Sequence, residues 1–353
     1  MQNLILLYGG KSSEHSVSCV TALGVFSAVD KSKYRVIPVG IAKSGKFTEN
    51  PINPNWVLSD FPEVSESSPE IRFEPGQSSI TLASGETISI DIAFPVLHGP
   101  NGEDGSVQGL LQLMSVPYVG NGVLASALAM DKSKAKAVFR DAGLSVAPEL
   151  LIERTIWALN RSGELARALS FATSDVFVKP SRSGSSVGVS LVRDPAELEK
   201  AIDQALKLDQ TALVEQRIFG REVECSVLER PNGELLVSVA GEIVVTGREF
   251  YDYEAKYLDA GAELRVPTVL TESELSTMQQ LAKMAFRALG CSGLARTDFF
   301  LNQSGFVLTE VNTMPGFTPI SMYPALFAAS GVGYTELVET LIQTGLAKGT
   351  DPR

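Results

Sequence analysis

Cysteine and histidine are the scarcest reactive groups in this 353-residue chain, which has three of the first and two of the second. Cys19, Cys225 and Cys291 are odd in number, far apart and without a C-x-x-C pair. That excludes a disulfide framework and a cysteine zinc cluster, and it fits a reducing, cytoplasmic compartment. Long apolar runs are missing too. The run at residues 4–7 is too short for a secretory signal, and nothing approaches the ~20 apolar residues of a membrane span. Basic excess is absent, with 30 Lys and Arg against 41 Asp and Glu and a net charge of −11. This sign opposes binding to nucleic acid or anionic lipid, so any phosphate must be held by a few placed cations. The chain also lacks polar low-complexity tracts, internal repeats and a G-x-G-x-x-G fingerprint, which argues against disorder, a repeat array and a dinucleotide site.

What remains is a globular composition, 44% hydrophobic and 20% charged, and a length sufficient for two or three domains at ~150 residues each. Residues 4–8 read as a buried strand, Gly9-Gly10 as a turn and 16–29 as a helix, the opening unit of a parallel α/β sheet. The pattern recurs with a strand at 91–97, a glycine-rich loop at 98–105 and a helix at 106–114. Residues 43–90, rich in Pro, Ser, Asn and Glu, read as short strands and loops. A helix is expected over 125–142. Later segments read as a strand at 222–229, a turn at 231–233, a returning strand at 235–245, a helix at 272–289 and a hairpin at 294–311. Boundaries near 120 and 216 give an α/β chain, α+β in part, with domains 1–120, 121–215 and 216–353.

The stretch Val176-Phe-Val-Lys179-Pro180, followed by Ser-Arg-Ser-Gly-Ser-Ser-Val-Gly188, reads as strand, glycine-serine loop, strand. In a Walker loop the lysine follows the glycines and opens a helix; here Lys179 precedes them. The pattern suits a hairpin that closes over a nucleotide, with Lys179 as a point charge, or else a flexible surface hairpin.

In the last hairpin Asp298, Glu310 and Asn312 are hard oxygen donors suited to Mg²⁺ beside phosphates. A three-residue loop, Gln303-Ser304-Gly305, would end in a left-handed glycine and pair Asn302 with Phe306. Asp298 then opposes Glu310 and Arg296 opposes Asn312, on one face with Phe300, Phe306 and Leu308. Facing carboxylates in apolar company call for a cation. The structural alternative is an edge hairpin with a surface Arg–Asp pair. His15 and His98 both follow strands of the first domain at its loop end, where open α/β sheets bind ligands, although each could equally be a structural hydrogen-bonder. Glu14 is either a ligand contact or a first-turn acid complementing the helix dipole.

Six segments, in this order, carry a resemblance: Tyr8-Gly-Gly-Lys-Ser-Ser-Glu-His-Ser-Val-Ser18, His98-Gly-Pro-Asn-Gly-Glu-Asp-Gly105, Met130-Asp-Lys132, the Lys179–Gly188 loop, Glu249-Phe-Tyr-Asp-Tyr-Glu-Ala-Lys-Tyr257 and Glu310-Val-Asn-Thr-Met-Pro-Gly-Phe-Thr318. Together they resemble the D-alanine–D-alanine ligase family, nearly end to end. The resemblance implies an ATP-grasp fold of three domains, with a Rossmann-like α/β domain first and ATP between the other two. It also implies formation of D-alanyl-D-alanine through a D-alanyl phosphate, for peptidoglycan synthesis and cell shape. The cofactors implied are ATP and two Mg²⁺, with Mn²⁺ as a substitute, and the assembly implied is a homodimer.

Carried over residue by residue, Lys132 and Lys179 resemble ATP phosphate contacts and Lys256 the γ-phosphate contact. Glu215 and the backbone near Ile218 resemble the adenine clamp, and Glu222 the ribose partner. Asp298, Glu310 and Asn312 match the magnesium ligands. Arg296 and the Gly316 N–H would stabilise the tetrahedral oxyanion, a task worth ~2.7–4 kcal/mol per donor. Glu14 resembles the holder of the first D-alanine's ammonium, with Ser185 and Tyr257 as network partners and His98 in the same pocket. Ser321 and Met322 align with the segment receiving the second substrate's carboxylate. Tyr257 favours an amine nucleophile over D-lactate. The alternatives are a D-alanine–D-lactate or D-alanine–D-serine ligase of the same fold, or a nucleotide-binding module without chemistry.

Overall fold

The structure is a computed structural model and describes residues 1–184, 186–245 and 262–351. An unbroken apolar run suits a strand covered on both faces. In strand Gln2–Gly9, Leu4, Leu6 and Tyr8 face one way and Ile5 and Leu7 the other, all fully buried. It pairs in parallel with Tyr34–Ile41 and Ile92–Pro95, and Phe47–Thr48 adds an antiparallel edge. Helix His15–Ala28 covers the first face together with the late helix Tyr334–Lys348, whose Leu337, Val338, Leu341 and Ile342 lie in the same core. Helix Ser106–Leu113 and a small sheet of Arg72–Phe73, Ser79–Thr81 and Thr87–Ser89 cover the second face. Residues 43–90 thus form short strands and loops, as expected.

The second sheet is antiparallel, in the order Ser190–Val192, Val176–Pro180, Thr211–Gln216, Glu149–Glu153. Val176, Val178, Ala212 and Val214 pack with helices Arg161–Phe171 and Leu198–Leu208. Alternation therefore sends Lys179 and Glu215 to the opposite face. The third sheet centres on Arg221–Glu229, flanked by Gly241–Val245 and by Leu294–Asn302, which pairs on with Gly305–Asn312. Val223, Cys225, Val227 and Phe299 pack with helix Glu272–Ala288, which leaves Glu222, Glu224, Arg296 and Asp298 on the other face. Among the described residues no helix is long and apolar enough to cross a membrane.

Three local departures from expectation have identifiable causes. The helix expected over 125–142 is two, Val123–Met130 and Lys132–Asp141, because Asp131 is extended and caps the second, accepting from the Ser133 and Lys134 N–H groups. Such a cap contributes about 1 kcal/mol. The strand expected over 235–245 is divided into Leu235–Val237 and Gly241–Val245. Between them the Ser238 hydroxyl accepts the Ser226 N–H at 2.9 Å, and the Val239 N–H turns to the Ser330 hydroxyl at 2.8 Å.

The third departure is in the last hairpin, where Asn302 pairs with Gly305 and not with Phe306, so the register starts one residue out. A bulge beside Asp298 then inserts Thr309, whose hydroxyl donates to the Asp298 carbonyl at 2.7 Å. The extra residue restores the pairs Asp298–Glu310 and Arg296–Asn312. It also moves Phe306 and Leu308 to the opposite face, where they pack with Phe299 in the core and do not accompany the carboxylates.

Candidate active site

The bulged hairpin presents Arg296, Asp298, Glu310 and Asn312 together. The Arg296 guanidinium donates to both Asp298 oxygens, at 2.8 and 2.7 Å, and lies 3.0 Å from Glu224. Burial opposes its charge, but Asp298 and Glu224 outweigh burial and hold it well above the ordinary arginine value. Asn312 donates its amide to Asp298 at 2.8 Å, which leaves the amide oxygen as an acceptor. Among the described residues no three His, Cys, Asp or Glu side chains gather as a ready-made cage. The donor set here is two carboxylates and an amide oxygen, all hard, and it fits Mg²⁺ held partly by substrate phosphates.

Facing this hairpin is a concentration of lysine. Helix Lys132–Asp141 has lysines and no acid in its first turn, where the dipole favours anions. Asp131 at the N-cap already answers the dipole, so what is left for a phosphate is the Lys132 ammonium. Lys132 Nζ donates to the Ser183 carbonyl at 2.8 Å and lies 3.5 Å from Glu310, so one ammonium joins the glycine-serine loop to the hairpin. Asp131 anchors the arrangement by accepting from the Ser181 hydroxyl at 2.7 Å, while the Lys132 N–H bonds the Ser181 carbonyl. Lys179 pairs with Glu215 at 2.9 Å. Burial works against the Lys179 charge, but Glu215 chiefly, and Glu310 further off, raise its pKa above the usual value.

The third wall comes from the first sheet. A Cβ built on Gly99 would lie 3.3 Å from the Glu14 carboxylate, and one on Gly184 would lie 3.6 Å from it, so Glu14 stands between the 98–105 loop and the glycine-serine loop. Glu103 accepts the Gly99 and Met314 N–H groups at 2.6 and 3.2 Å. Burial first, then the Glu14 charge, pushes its pKa up to about 8. His98, also buried, places Nδ1 3.1 Å from the Met314 carbonyl and Nε2 3.4 Å from Thr21. The 98–105 loop thus grips Met314 at both its N–H and its carbonyl, two residues before Gly316. The Glu14 carboxylate, set between this loop and the glycine-serine loop, suits an ammonium-bearing ligand.

His15 takes the structural role. Its Nδ1 bonds the Gly10 carbonyl at 2.7 Å and its Nε2 accepts the Val64 N–H at 2.9 Å, which fixes a neutral ring. Burial lowers its pKa, with Lys43 acting in the same sense and the Gly10 bond, Glu63 and Glu66 against. The unfolded chain therefore takes up a proton near pH 6.5 while the folded ring does not, so stability is present above that pH and is lost as pH falls below it. His15→Ala is expected to cost about 1–3 kcal/mol at pH 7.5 and to flatten the loss of stability between pH 7.5 and 5.5. Urea melts of both proteins check this, and parallel pH profiles would refute it.

Other expected positions are distributed as follows. Gly316 is half-buried, and a Cβ there would lie 3.2 Å from the Ser321 hydroxyl, which also accepts the Thr318 N–H. Ser321 precedes helix Met322–Ala329. The Met322 side chain is buried with Ile243 and Leu326, so its backbone is the part left for a ligand. Glu222 shares the strand face of Glu224 and Asp298, and Ile218 lies in the short connection between strands Thr211–Gln216 and Arg221–Glu229. Ser185, Lys256 and Tyr257 lie outside the described residues. Sequence reasoning missed Glu224, Glu103 and Lys136. Glu224 had a signal, two residues from Glu222 on an alternating strand, and Lys136 had one too, a single helical turn beyond Lys132.

A family profile described as D-ala D-ala ligase N-terminus matches residues 3–121, and one described as D-ala D-ala ligase C-terminus matches residues 138–343. The chain belongs to the D-ala D-ala ligase family. Among curated relatives, a D-alanine--D-alanine ligase of Streptomyces coelicolor is 44% identical over 99% of this chain and 94% of its own length. D-alanine--D-alanine ligase A of Mesorhizobium japonicum is 44% identical over 97% of each. Among solved structures, the VanG D-Ala:D-Ser ligase of Enterococcus faecalis superposes with a TM-score of 0.87 at 33% identity, covering 98% of this chain and 99% of that one. The D-alanine-D-alanine ligase of Coxiella burnetii gives 0.83 at 32%, covering 99% and 94%. The fold is ATP-grasp, and the chain is an enzyme of the ligase type.

Proposed function

We propose that this ligase joins two D-alanines into D-alanyl-D-alanine at the expense of ATP, in the cytoplasmic supply of peptidoglycan precursors. The observation that carries the reading is the Lys132 ammonium, which spans from the glycine-serine loop to Glu310 and so draws a phosphate site and a hard-oxygen site into one cleft. Nucleotide lies between units 121–215 and 216–353, with Lys132, Lys179 and Lys256 on its phosphates, Glu215 and Ile218 at adenine and Glu222 at ribose. The first D-alanine binds at unit 1–120, its ammonium on Glu14 beside His98, with Ser185 and Tyr257 as network partners. The enzyme acts as a homodimer.

A carboxylate is a poor acyl donor until one oxygen becomes a leaving group. The first D-alanine's carboxylate attacks the γ-phosphorus, the bond to the bridging oxygen breaks and ADP leaves. The second D-alanine's amine, as the free base, then attacks the acyl carbon, Arg296 and the Gly316 N–H take up the oxyanion charge, and the acyl C–O bond breaks as phosphate departs with the proton that the amide nitrogen sheds. Asp298, Glu310 and Asn312 would hold two Mg²⁺, or Mn²⁺ in their place, whose charge when bound neutralises the phosphoryl oxygens. Ser321 and the Met322 backbone receive the second carboxylate.

The test is to supply purified protein with ATP, Mg²⁺ and D-alanine and to follow phosphate and dipeptide. Both are expected to form, and L-alanine is not expected to substitute. D-serine and D-lactate offered in competition should give little mixed product; dominance of D-alanyl-D-serine would instead align the chain with its VanG neighbour. Protein that binds ATP and releases no phosphate with any of these acceptors would favour a module without chemistry.

A further inference from the structure

One buried cation has no task in this scheme. Lys136 is 1% exposed and sits four residues after Lys132 on the same helix, hence on the same face one turn deeper. Its ammonium pairs with Glu215, lies 3.4 Å from Glu149 and is 3.5 Å from the Ala147 carbonyl. The two oxygens of Glu215 are divided between two lysines, Lys136 on Oε2 and Lys179 on Oε1. Lys179 and Glu215 stand on adjacent antiparallel strands, on the face turned away from the core of the second sheet. Glu149 has a second partner in Arg140 at 3.0 Å.

Buried ion pairs are weak stabilisers, because removing both charges from water offsets most of their attraction and apolar residues of similar volume often do as well. A lysine buried between two acids therefore calls for another explanation. Lys179 gives its charge to Glu215 in the structure described, yet its proposed work is on a phosphate. Once its ammonium turns to that phosphate, Glu215 loses one of its two cations. Lys136 is enclosed by Glu149, Glu215 and the Ala147 carbonyl and stays where it is. Burial lowers the Lys136 pKa against the pull of Glu215, while Glu215 stands below the ordinary glutamate range because Lys179 and Lys136 outweigh its burial.

We propose that Lys136 is a positioning residue that keeps Glu215 fixed and ionised when Lys179 engages phosphate, so that the carboxylate selects adenine over guanine. This rests on reading Glu215 as the adenine contact. An ionised carboxylate only accepts hydrogen bonds. Adenine offers it an amine, whereas guanine presents a carbonyl oxygen at the same ring position and would be repelled. A site built to accept a donor discriminates strongly when the acceptor is held rigid.

The experiment compares wild type, Lys136→Met, Lys136→Arg, Glu215→Gln and the Lys136→Met/Glu215→Gln double variant. Steady-state kinetics use ATP and GTP as probes at saturating D-alanine, and thermal melts report folding. Lys136→Met is expected to raise KM for ATP at least tenfold with kcat within about threefold, and to shrink the ATP-over-GTP preference by a similar factor. Lys136→Arg should recover most of both. In the Glu215→Gln background, Lys136→Met should change KM less than twofold, since the residue it acts through is already gone. That last comparison decides the matter even where Lys136→Met alone fails to fold, because the double variant removes a cation and an anion together.

A kcat loss at unchanged KM, or multiplicative effects in the double variant, would overturn the proposal and leave Lys136 a purely structural cation. If Glu215→Gln itself leaves nucleotide preference intact, the adenine reading of Glu215 falls and this proposal with it. If Glu215→Gln relaxes preference while Lys136→Met, folded, does not, only the role of Lys136 falls.

Discussion

Arg296→Ala is expected to lower kcat by 10²–10³, the range seen when one preorganised oxyanion donor is removed. It is also expected to destabilise the fold. Arg296 lies between Glu224 and Asp298, which are directly opposite on paired strands. Without the guanidinium two like charges face each other in a buried setting, and breaking such a cluster costs about 3–5 kcal/mol. The informative companion is Arg296→Lys, which keeps a cation between the acids but lacks the planar fork that engages both Asp298 oxygens. It should melt close to wild type and still turn over at least a hundredfold more slowly. An Arg296→Lys enzyme within tenfold of wild type would mean that the guanidinium serves charge balance alone and that the oxyanion assignment is mistaken.

Glu310→Gln separates metal binding from folding in the opposite way. Glu310 is partly exposed and lies 3.5 Å from the Lys132 ammonium. A pair of that kind contributes under about 1 kcal/mol, which in a chain of this size moves Tm by about 2 °C or less. Across the hairpin, however, Glu310 faces Asp298, and the carboxylate supplies half of the anionic charge that a divalent ion would find there. The Mg²⁺ concentration for half-maximal rate should therefore rise at least tenfold, with kcat reduced as well. A variant whose activity falls only in proportion to its folded fraction, with an unchanged Mg²⁺ requirement, would return the hairpin to a structural role.

How much of this was legible beforehand can be judged residue by residue. The facing of Asp298 with Glu310 was reached from the letters, through two departures that cancel: a turn shorter by one residue and a bulge longer by one at Thr309. Turn chemistry announces itself through Gly305, but a bulge depends on how the strand twists over its neighbours, and no local signal marks it. Hence the pairing was right and the faces of Phe306 and Leu308 were inverted. The helix break at Asp131 did have a signal, an Asp followed by good helix formers, which the apolar spacing on either side overrode. His15 carried none, since its partners Gly10 and Val64 are set by the loop path.

The sequence by itself determined the local elements, the hard-oxygen and lysine-bearing segments and membership of the family, because periodicity, turn residues and motif spacing are written in neighbouring positions. Only the tertiary structure decided which of those segments meet. It brought Lys132 against Glu310, enclosed Lys136 and Lys179 around one carboxylate, set Glu224 behind Arg296 and closed the 98–105 loop on Met314. Those contacts join residues far apart along the chain. They exist because separate sheets and helices must bury their apolar faces against one another, and the polar faces left over are thereby turned toward a common cleft.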